Sequence, residues 1–290
     1  MPPLLAVDAP SMLFRAYYAL PSSIKGSDGE PVNALLGAAN LIVAEVERHR
    51  PRAVALCFGP DAAEYRVELY PPYHADRPPV PDELEWQWEQ APALFDALGW
   101  STVSDDRHEA DDVLFSLAAA EVEAGGRALI LTGDRDLFQC AGDAACVLYL
   151  RTGVRGAEVV DAAEVERRYG VPPALVPDFI ALRGDPSDGL PGAKGIGEKT
   201  AAELLRRHGS LEGAIAGALR ERSARVRGAL RDSADELRMF KDIATLRPAK
   251  GVKRPGDRAT DYAAGAKAVR ALGMNRLGER VERQAAEASR

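Results

Sequence analysis

The sequence is short of several things, and each shortage closes off a class of function. Only three cysteines occur in 290 residues, Cys57, Cys140 and Cys146, and none forms a CxxC pair. Neither a disulfide framework nor a thiolate zinc site is expected; reduced thiols of a cytoplasmic protein are. Histidine numbers four, with no HExxH or HxE grouping to hold a catalytic zinc. No stretch approaches the roughly 18 apolar residues that a membrane span needs. The opening MPPLLAVDAP has no basic segment before its short apolar run, so no signal peptide is expected. Positive charge is also short: 37 Lys and Arg against 44 Asp and Glu leave a net charge of −7. Nucleic-acid-binding domains are usually basic, but that argument reverses where acids are committed to divalent ions.

What is present is a globular composition, 46% hydrophobic and 28% charged, with length for one large or two modest domains. LLAVD (4–8), RAVALCFG (52–59), the weaker STVS (101–104) and RALILTGDRD (127–136) read as strands. Residues 31–50, the segment from Asp82 to PALFDALGW and residues 109–124 have helical period. Residues 60–90, rich in proline, aromatics and charge, read as an excursion. Strands alternating with helices imply a mostly parallel sheet with helices on both faces. From about Asp161 the strand signal fades and helical segments follow. The expected partition is an α/β domain over 1–165 and an all-helical domain over 166–290.

Two constellations carry chemistry. The first is acidic: Asp8, Glu109, Asp111, Asp112, Asp134, Asp136, Asp185 and Asp188 come from four separate segments. Acids in a helix's first turn complement the helix dipole, and TGDRD or GDPSDG alone could be turns. But ligands of open α/β sheets bind beyond the carboxyl ends of the strands. Asp8 and Asp134 follow strands, and Glu109, Asp111 and Asp112 open a helix that meets the same rim. Convergence there suits Mg²⁺ or Mn²⁺, which two-metal phosphodiester chemistry uses. The second is GLPGAKGIGEKTAAELL, in which Gly192, Gly195 and Gly197 precede Lys199 and Thr200 and an amphipathic helix. The order GxxxxGK[ST] fails and no strand leads in, so this is neither a P-loop nor a dinucleotide fingerprint. A helix-hairpin-helix over about 185–208, gripping duplex backbone without reading bases, fits better than a glycine-rich linker. Arg220, Arg222, Arg225, Arg227 and Arg231 follow, either as an extension of a basic face or as a solvated helix side.

The stretches AVDAPSMLFRAYYALP, FGPDAAEYRVELYPPYHADRPPVP, EADDVLFSLA, ILTGDRDLFQ and YGVPPALVPDFIALRGDPSDGLPGAKGIGEKTA cover residues 4 to about 208 in order. In that combination the chain resembles bacterial 5′ nucleases of the flap endonuclease family, similar to the 5′ nuclease domain of DNA polymerase I but free-standing. The resemblance implies a PIN-like α/β domain with a helical arch at about 60–90, two divalent cations (Mg²⁺ or Mn²⁺) and a K⁺ at the hairpin. It implies a monomer cleaving DNA at 5′ flaps and 5′ ends, and RNA primers in RNA–DNA hybrids. The eight acids match the family's metal-site acids. Arg15 matches a phosphate-steering arginine, and Tyr73 and Arg77 match arch residues; Tyr73 and Arg66 are expected on DNA and His74 and Arg77 in catalysis. For Tyr73, packing beneath RPP is the plainer alternative.

Two departures stand out. Phe58–Gly59 stands where the family has Phe-Asp, leaving open whether Asp61 supplies the missing ligand. Tyr73–His74 stands where the family has Tyr-Lys, so a permanent charge gives way to an imidazole, which titrates near neutrality. A DNA-junction binder with weakened catalysis is the first alternative, favoured by Gly59. A PIN-type ribonuclease is the second, opposed by the helix-hairpin-helix.

Overall fold

Short apolar runs punctuated by acids and glycines build the strands of one sheet. A computed structural model describes residues 1–151 and 156–288. Its first part runs β1 (Leu4–Asp8), α1 (Ala9–Ala19), α2 (Asn33–His49), β2 (Ala53–Phe58), α3 (Glu64–Leu69), α4 (Asp82–Ala97), β3 (Ser101–Ser104), α5 (Ala110–Glu123), β4 (Ala128–Thr132), β5 (Ala145–Tyr149) and β6 (Glu158–Val160). The sheet order is β3-β2-β1-β4-β5-β6. Neighbours are parallel except β6, which runs antiparallel to β5.

Alternation along the strands feeds two cores, as expected of a parallel sheet covered on both faces. Leu5 and Val7 join Leu56, Leu131 and the α1–α2 residues Met12, Leu13, Leu35 and Ile42 on one face. Leu4 and Ala6 join Cys57, Ile130 and the α5 residues Val113, Leu114 and Leu117 on the other. Strand order reverses between β1 and β4, and Asp8 and the TGDRD turn sit beyond that crevice, the place where open sheets bind ligands.

A helical part follows: α6 (Ala162–Tyr169), α7 (Val176–Arg183), α8 (Glu198–His208), α9 (Leu211–Ala216), α10 (Ala224–Asp232), α11 (Ala234–Ala244), α12 (Tyr262–Ala271) and α13 (Asn275–Ala288). Its last two helices do not stay with the others. The chain returns along the α/β unit, where Asp261 N donates to Leu98 O at 2.9 Å and Trp100 Nε1 to Thr260 Oγ1 at 2.9 Å. Val269, Met274, Leu277 and Val281 then join the core beneath α2 and α4. By packing, the end of the chain therefore lies with the first domain, although the sequence reading grouped it with the second.

Three elements fall where the sequence reading found none. ACVLY and EVV form β5 and β6, and such short apolar runs cannot be told from buried helix by period. Helix α1 starts at ordinary signals, Asp8 as its N-cap and Pro10 in its first turn, but its apolar stripe is broken by Arg15, Tyr17 and Tyr18.

Candidate active site

Two neighbouring strand ends, those of β1 and β4, deliver acids held by local hydrogen bonds. Asp8 closes β1 and caps α1: its Oδ1 accepts from Ser11 N at 3.0 Å and its Oδ2 from Thr132 Oγ1 at 2.6 Å. Two residues beyond β4, Asp134 N donates to Thr132 Oγ1 at 2.9 Å and Asp134 Oδ1 accepts from Asp136 N at 2.8 Å. TGDRD is thus a turn, and the turn itself presents the two acids. Asp111 comes from the first turn of α5, and Asp188 from the loop between α7 and α8. Asp8, Glu109, Asp111, Asp134, Asp136 and Asp188 line one cavity of about 430 Å³, whose other wall includes Tyr73, His74 and Arg77.

Four of these carboxyls, Asp8, Asp111, Asp134 and Asp136, hold their protons more tightly than ordinary aspartates. Burial raises Asp111 and Asp136 well above the usual range, and the neighbouring Asp134 charge adds to both. Burial also raises Asp8, and raises Asp134 to about 6, with Asp188 and Asp8 contributing. Repulsion among desolvated carboxylates is what a bound cation would relieve. Among the described residues no three acidic, histidine or cysteine side chains close around one point as a finished cage. An all-oxygen donor set spread over an open cavity fits a hard divalent ion that keeps waters and accepts substrate phosphate.

Not every expected ligand faces the cavity. Asp112 is fully buried and points away, accepting from Arg66 Nη1 and Nη2 at 2.9 and 3.0 Å, from Tyr65 Oη at 2.9 Å and from Arg247 N at 2.7 Å. The expectation of Asp112 as a metal ligand is corrected: its oxygens are committed to a buried ion pair. Arg66, expected on DNA, is corrected with it, being 3% exposed and donating to Ile243 O through Nε at 3.0 Å. Glu109 shares this network, 3.0 Å from Arg66 Nη1, and accepts from Ala63 N at 2.8 Å and Tyr73 Oη at 3.0 Å. Tyr73, expected on DNA, is 5% exposed, bonded to Glu109 and stacked on His74; burial raises its phenol.

Asp185 lies beside the cavity, paired with Arg183 Nη2 at 2.9 Å and accepting from Ser187 N at 2.9 Å. Arg15 sits behind the TGDRD turn: its Nη2 donates to Leu150 O and its buried Nε has no partner. His74 adopts the left-handed region at φ 54° and stacks on Tyr73 at 3.8 Å between ring centroids. Its Nδ1 lies 2.7 Å from Asp61 O and its Nε2 3.1 Å from Asp188 Oδ1. Arg77 spans the same gap, reaching Asp61 Oδ1 at 3.0 Å and Asp188 Oδ1 at 3.3 Å.

The acid absent at Gly59 is not replaced. Asp61 lies at the mouth of the same cavity, its side chain 63% exposed and paired with Arg77 rather than set among the buried acids. A Cβ built on Gly59 would overlap the His108 carbonyl oxygen and lie 2.7 Å from Ala110 N and Glu109 C, all backbone atoms that cannot swing aside. Gly59 is therefore the close-approach point between the end of β2 and the entry to α5. Gly59→Asp is expected to destabilise by about 1–3 kcal/mol, the usual range for overpacking, and to leave the metal requirement no better. Thermal melting and a metal titration of the variant check this; an unchanged melt with a lower metal requirement would contradict it.

The residues expected to form a helix-hairpin-helix lie at and before the start of α8. Gly197 is the N-cap of α8, with Lys199 and Thr200 in its first turn; Gly195, Gly197 and Lys199 are exposed. Sequence reasoning missed Ser11, Thr132, Tyr65 and Arg247, which hold the acids. Ile243, Ala244 and Leu246, which line the cavity from the far end of α11, were missed too. None had a local signal except Thr132, which sits at the end of a strand before a Gly-Asp turn.

The model of the 5′-3′ exonuclease N-terminal resolvase-like domain matches residues 3–170, and that of the 5′-3′ exonuclease C-terminal SAM fold matches residues 171–257. The chain is 44% identical over 223 residues to a Streptomyces coelicolor 5′-3′ exonuclease, covering 72% of this chain and 73% of that one. It is 40% identical over 246 residues to a Mycobacterium tuberculosis 5′-3′ exonuclease, covering 78% and 77%. In fold it resembles the bacteriophage T5 D15 flap endonuclease, solved in a pseudo-enzyme-product complex with DNA and metal ions. The TM-score is 0.70 at 16% identity, over 97% of this chain and 98% of that one.

Proposed function

Because the chain belongs to the 5′-3′ exonuclease family, we propose that it is a divalent-metal-dependent, structure-specific 5′ nuclease. It hydrolyses phosphodiesters at 5′ flaps and 5′ ends of DNA, and at RNA primers. The observation that carries this reading is the set of desolvated, mutually repelling carboxylates at one sheet crevice. Asp8, Asp111, Asp134, Asp136 and Asp188 would hold two divalent cations, with Asp185 as an outer support. When bound, such ions activate a water for attack and stabilise the leaving oxygen of the phosphodiester.

The protein's own groups do the positioning. Ser11 and Thr132 fix the Asp8 carboxylate, and the Asp134–Asp136 turn fixes its partner. Arg77, 37% exposed on its side chain, stands at the mouth of the cavity with His74 and meets the phosphate that approaches the acids. The exposed N-terminus of α8 with Lys199 and Thr200 takes duplex phosphates, where backbone N–H groups and the helix dipole favour an anion. A K⁺ ion at the hairpin and a monomeric state belong to the same reading. A binding protein without catalysis would have no use for five acids kept together at such electrostatic expense.

The test is polarity. A duplex with a labelled 5′ flap is expected to be cut near its junction, while the same duplex with a 3′ flap is spared. Equal cutting of both would overturn the reading. Lys199→Ala is expected to weaken duplex binding and to flatten its salt dependence by about one phosphate contact, with little effect on a short single strand. Fluorescence anisotropy at several salt concentrations measures both.

A further inference from the structure

The arginines after the hairpin are brought against it. A cleft of about 930 Å³ between α8 and α10 is lined by Gly195 and Thr200 on the hairpin side and by Arg220, Arg222 and Arg225 on the other. All three arginines are exposed, and among the described residues none has an ion pair or hydrogen bond to its guanidinium. Two neighbouring arginines are neutralised or tied down. Arg207 pairs with Glu221 at 2.6 Å, and Arg227 Nη1 donates to Glu221 O at 2.7 Å. The free guanidinium groups of Arg220, Arg222 and Arg225 thus share the cleft with one exposed acid, Glu203.

Arg225 is placed there by shape as well as charge. Gly195 has φ +79°, and a Cβ built on it would overlap Nε, Cζ and Nη2 of Arg225. The guanidinium occupies the space that the missing side chain leaves, beside the exposed backbone of the hairpin. A planar fork held at an anion-binding turn matches the geometry of a phosphate.

We propose that Arg225 and Arg222, with the cleft between α8 and α10, form a second phosphodiester site that continues the hairpin's grip along the duplex. The partner is double-stranded DNA backbone, read without regard to sequence. This site rests on the nuclease reading for its partner and extends the footprint beyond Lys199 and Thr200. A duplex long enough to run past the hairpin reaches it; a stub of duplex does not.

The experiment compares flap DNAs carrying about half a helical turn and about two turns of duplex, bound in EDTA so that none is cut. Wild type is expected to bind the longer duplex more tightly. Arg222→Ala/Arg225→Ala is expected to lose that advantage and to show a salt slope shallower by about two contacts on the longer duplex alone. Lys199→Ala should weaken both lengths alike. Matching melting temperatures establish that the double variant is folded; if it is not, Arg222→Gln/Arg225→Gln replaces it. A double variant that keeps the full advantage of the longer duplex overturns the second site. Wild type that binds neither duplex overturns it too, together with the nuclease reading, whereas wild type that binds both lengths equally overturns the second site alone.

Discussion

Asp134→Asn is expected to do two opposite things: abolish cleavage and stabilise the metal-free protein. Loss of one charge-bearing ligand should lower the cleavage rate by roughly 10²–10³-fold or more, the scale seen when one electrostatic stabiliser of a transition state is removed. Stability moves the other way because Asp134 is raised to about 6 by burial and by Asp188 and Asp8. A carboxyl whose folded-state value lies above its unfolded one favours the fold below the ordinary aspartate range. That advantage is lost as pH rises through the folded value. The metal-free wild type should therefore lose stability between about pH 4 and pH 6 from this residue, and the amide variant should lose less, because only Asp8, Asp111 and Asp136 remain raised there. The difference in melting temperature between the two, followed against pH in EDTA, is the readout. It isolates Asp134 from the salt-bridged Glu121, Glu164 and Glu221, whose values are lowered and which shift wild type and variant alike. A variant that melts below wild type at neutral pH would contradict the account.

Asp112→Asn is expected to behave in the reverse manner. Its carboxylate is buried against Arg66 and accepts four hydrogen bonds, so removing its charge strands a guanidinium that is 3% exposed. Breaking a buried pair costs about 3–5 kcal/mol, here toward the low end because Glu109 remains 3.0 Å from Arg66. For a chain of this size that is a fall in melting temperature of roughly 6–10 °C. The pair joins α3 and α5 to the end of α11, so the loss should also loosen the turns carrying His74 and Arg77. Cleavage should fall, but the metal concentration giving half the maximal rate should stay where it is. A stable variant with a raised metal requirement would return Asp112 to the ligand set.

The contrast between these neighbours marks what could be read from sequence. The acids' convergence was legible because each follows a strand or opens a helix, and a parallel sheet brings those ends to one crevice. Which way each acid points was not. Asp111 and Asp112 are adjacent in the first turn of α5, about 100° apart around the axis, and only the position of Arg66 and Arg247 decides which faces inward. Those partners lie 46 and 135 residues away. Gly59 was recognised as a departure, but its meaning lay in the backbone of His108–Ala110 pressed against it. The placement of α12 and α13 was likewise hidden, since an amphipathic helix pair declares an apolar face without saying which core takes it.

The central claim is that these carboxylates serve a divalent metal used to cut 5′ flaps. The measurement that tests it most directly is the rate of cutting a labelled 5′-flap duplex as Mn²⁺ is titrated into EDTA-treated wild-type protein. The account expects no cleavage without metal and a saturable rise with it, the product ending at the flap junction. Cleavage that persists in EDTA, or a flap left whole at every Mn²⁺ concentration, would contradict it.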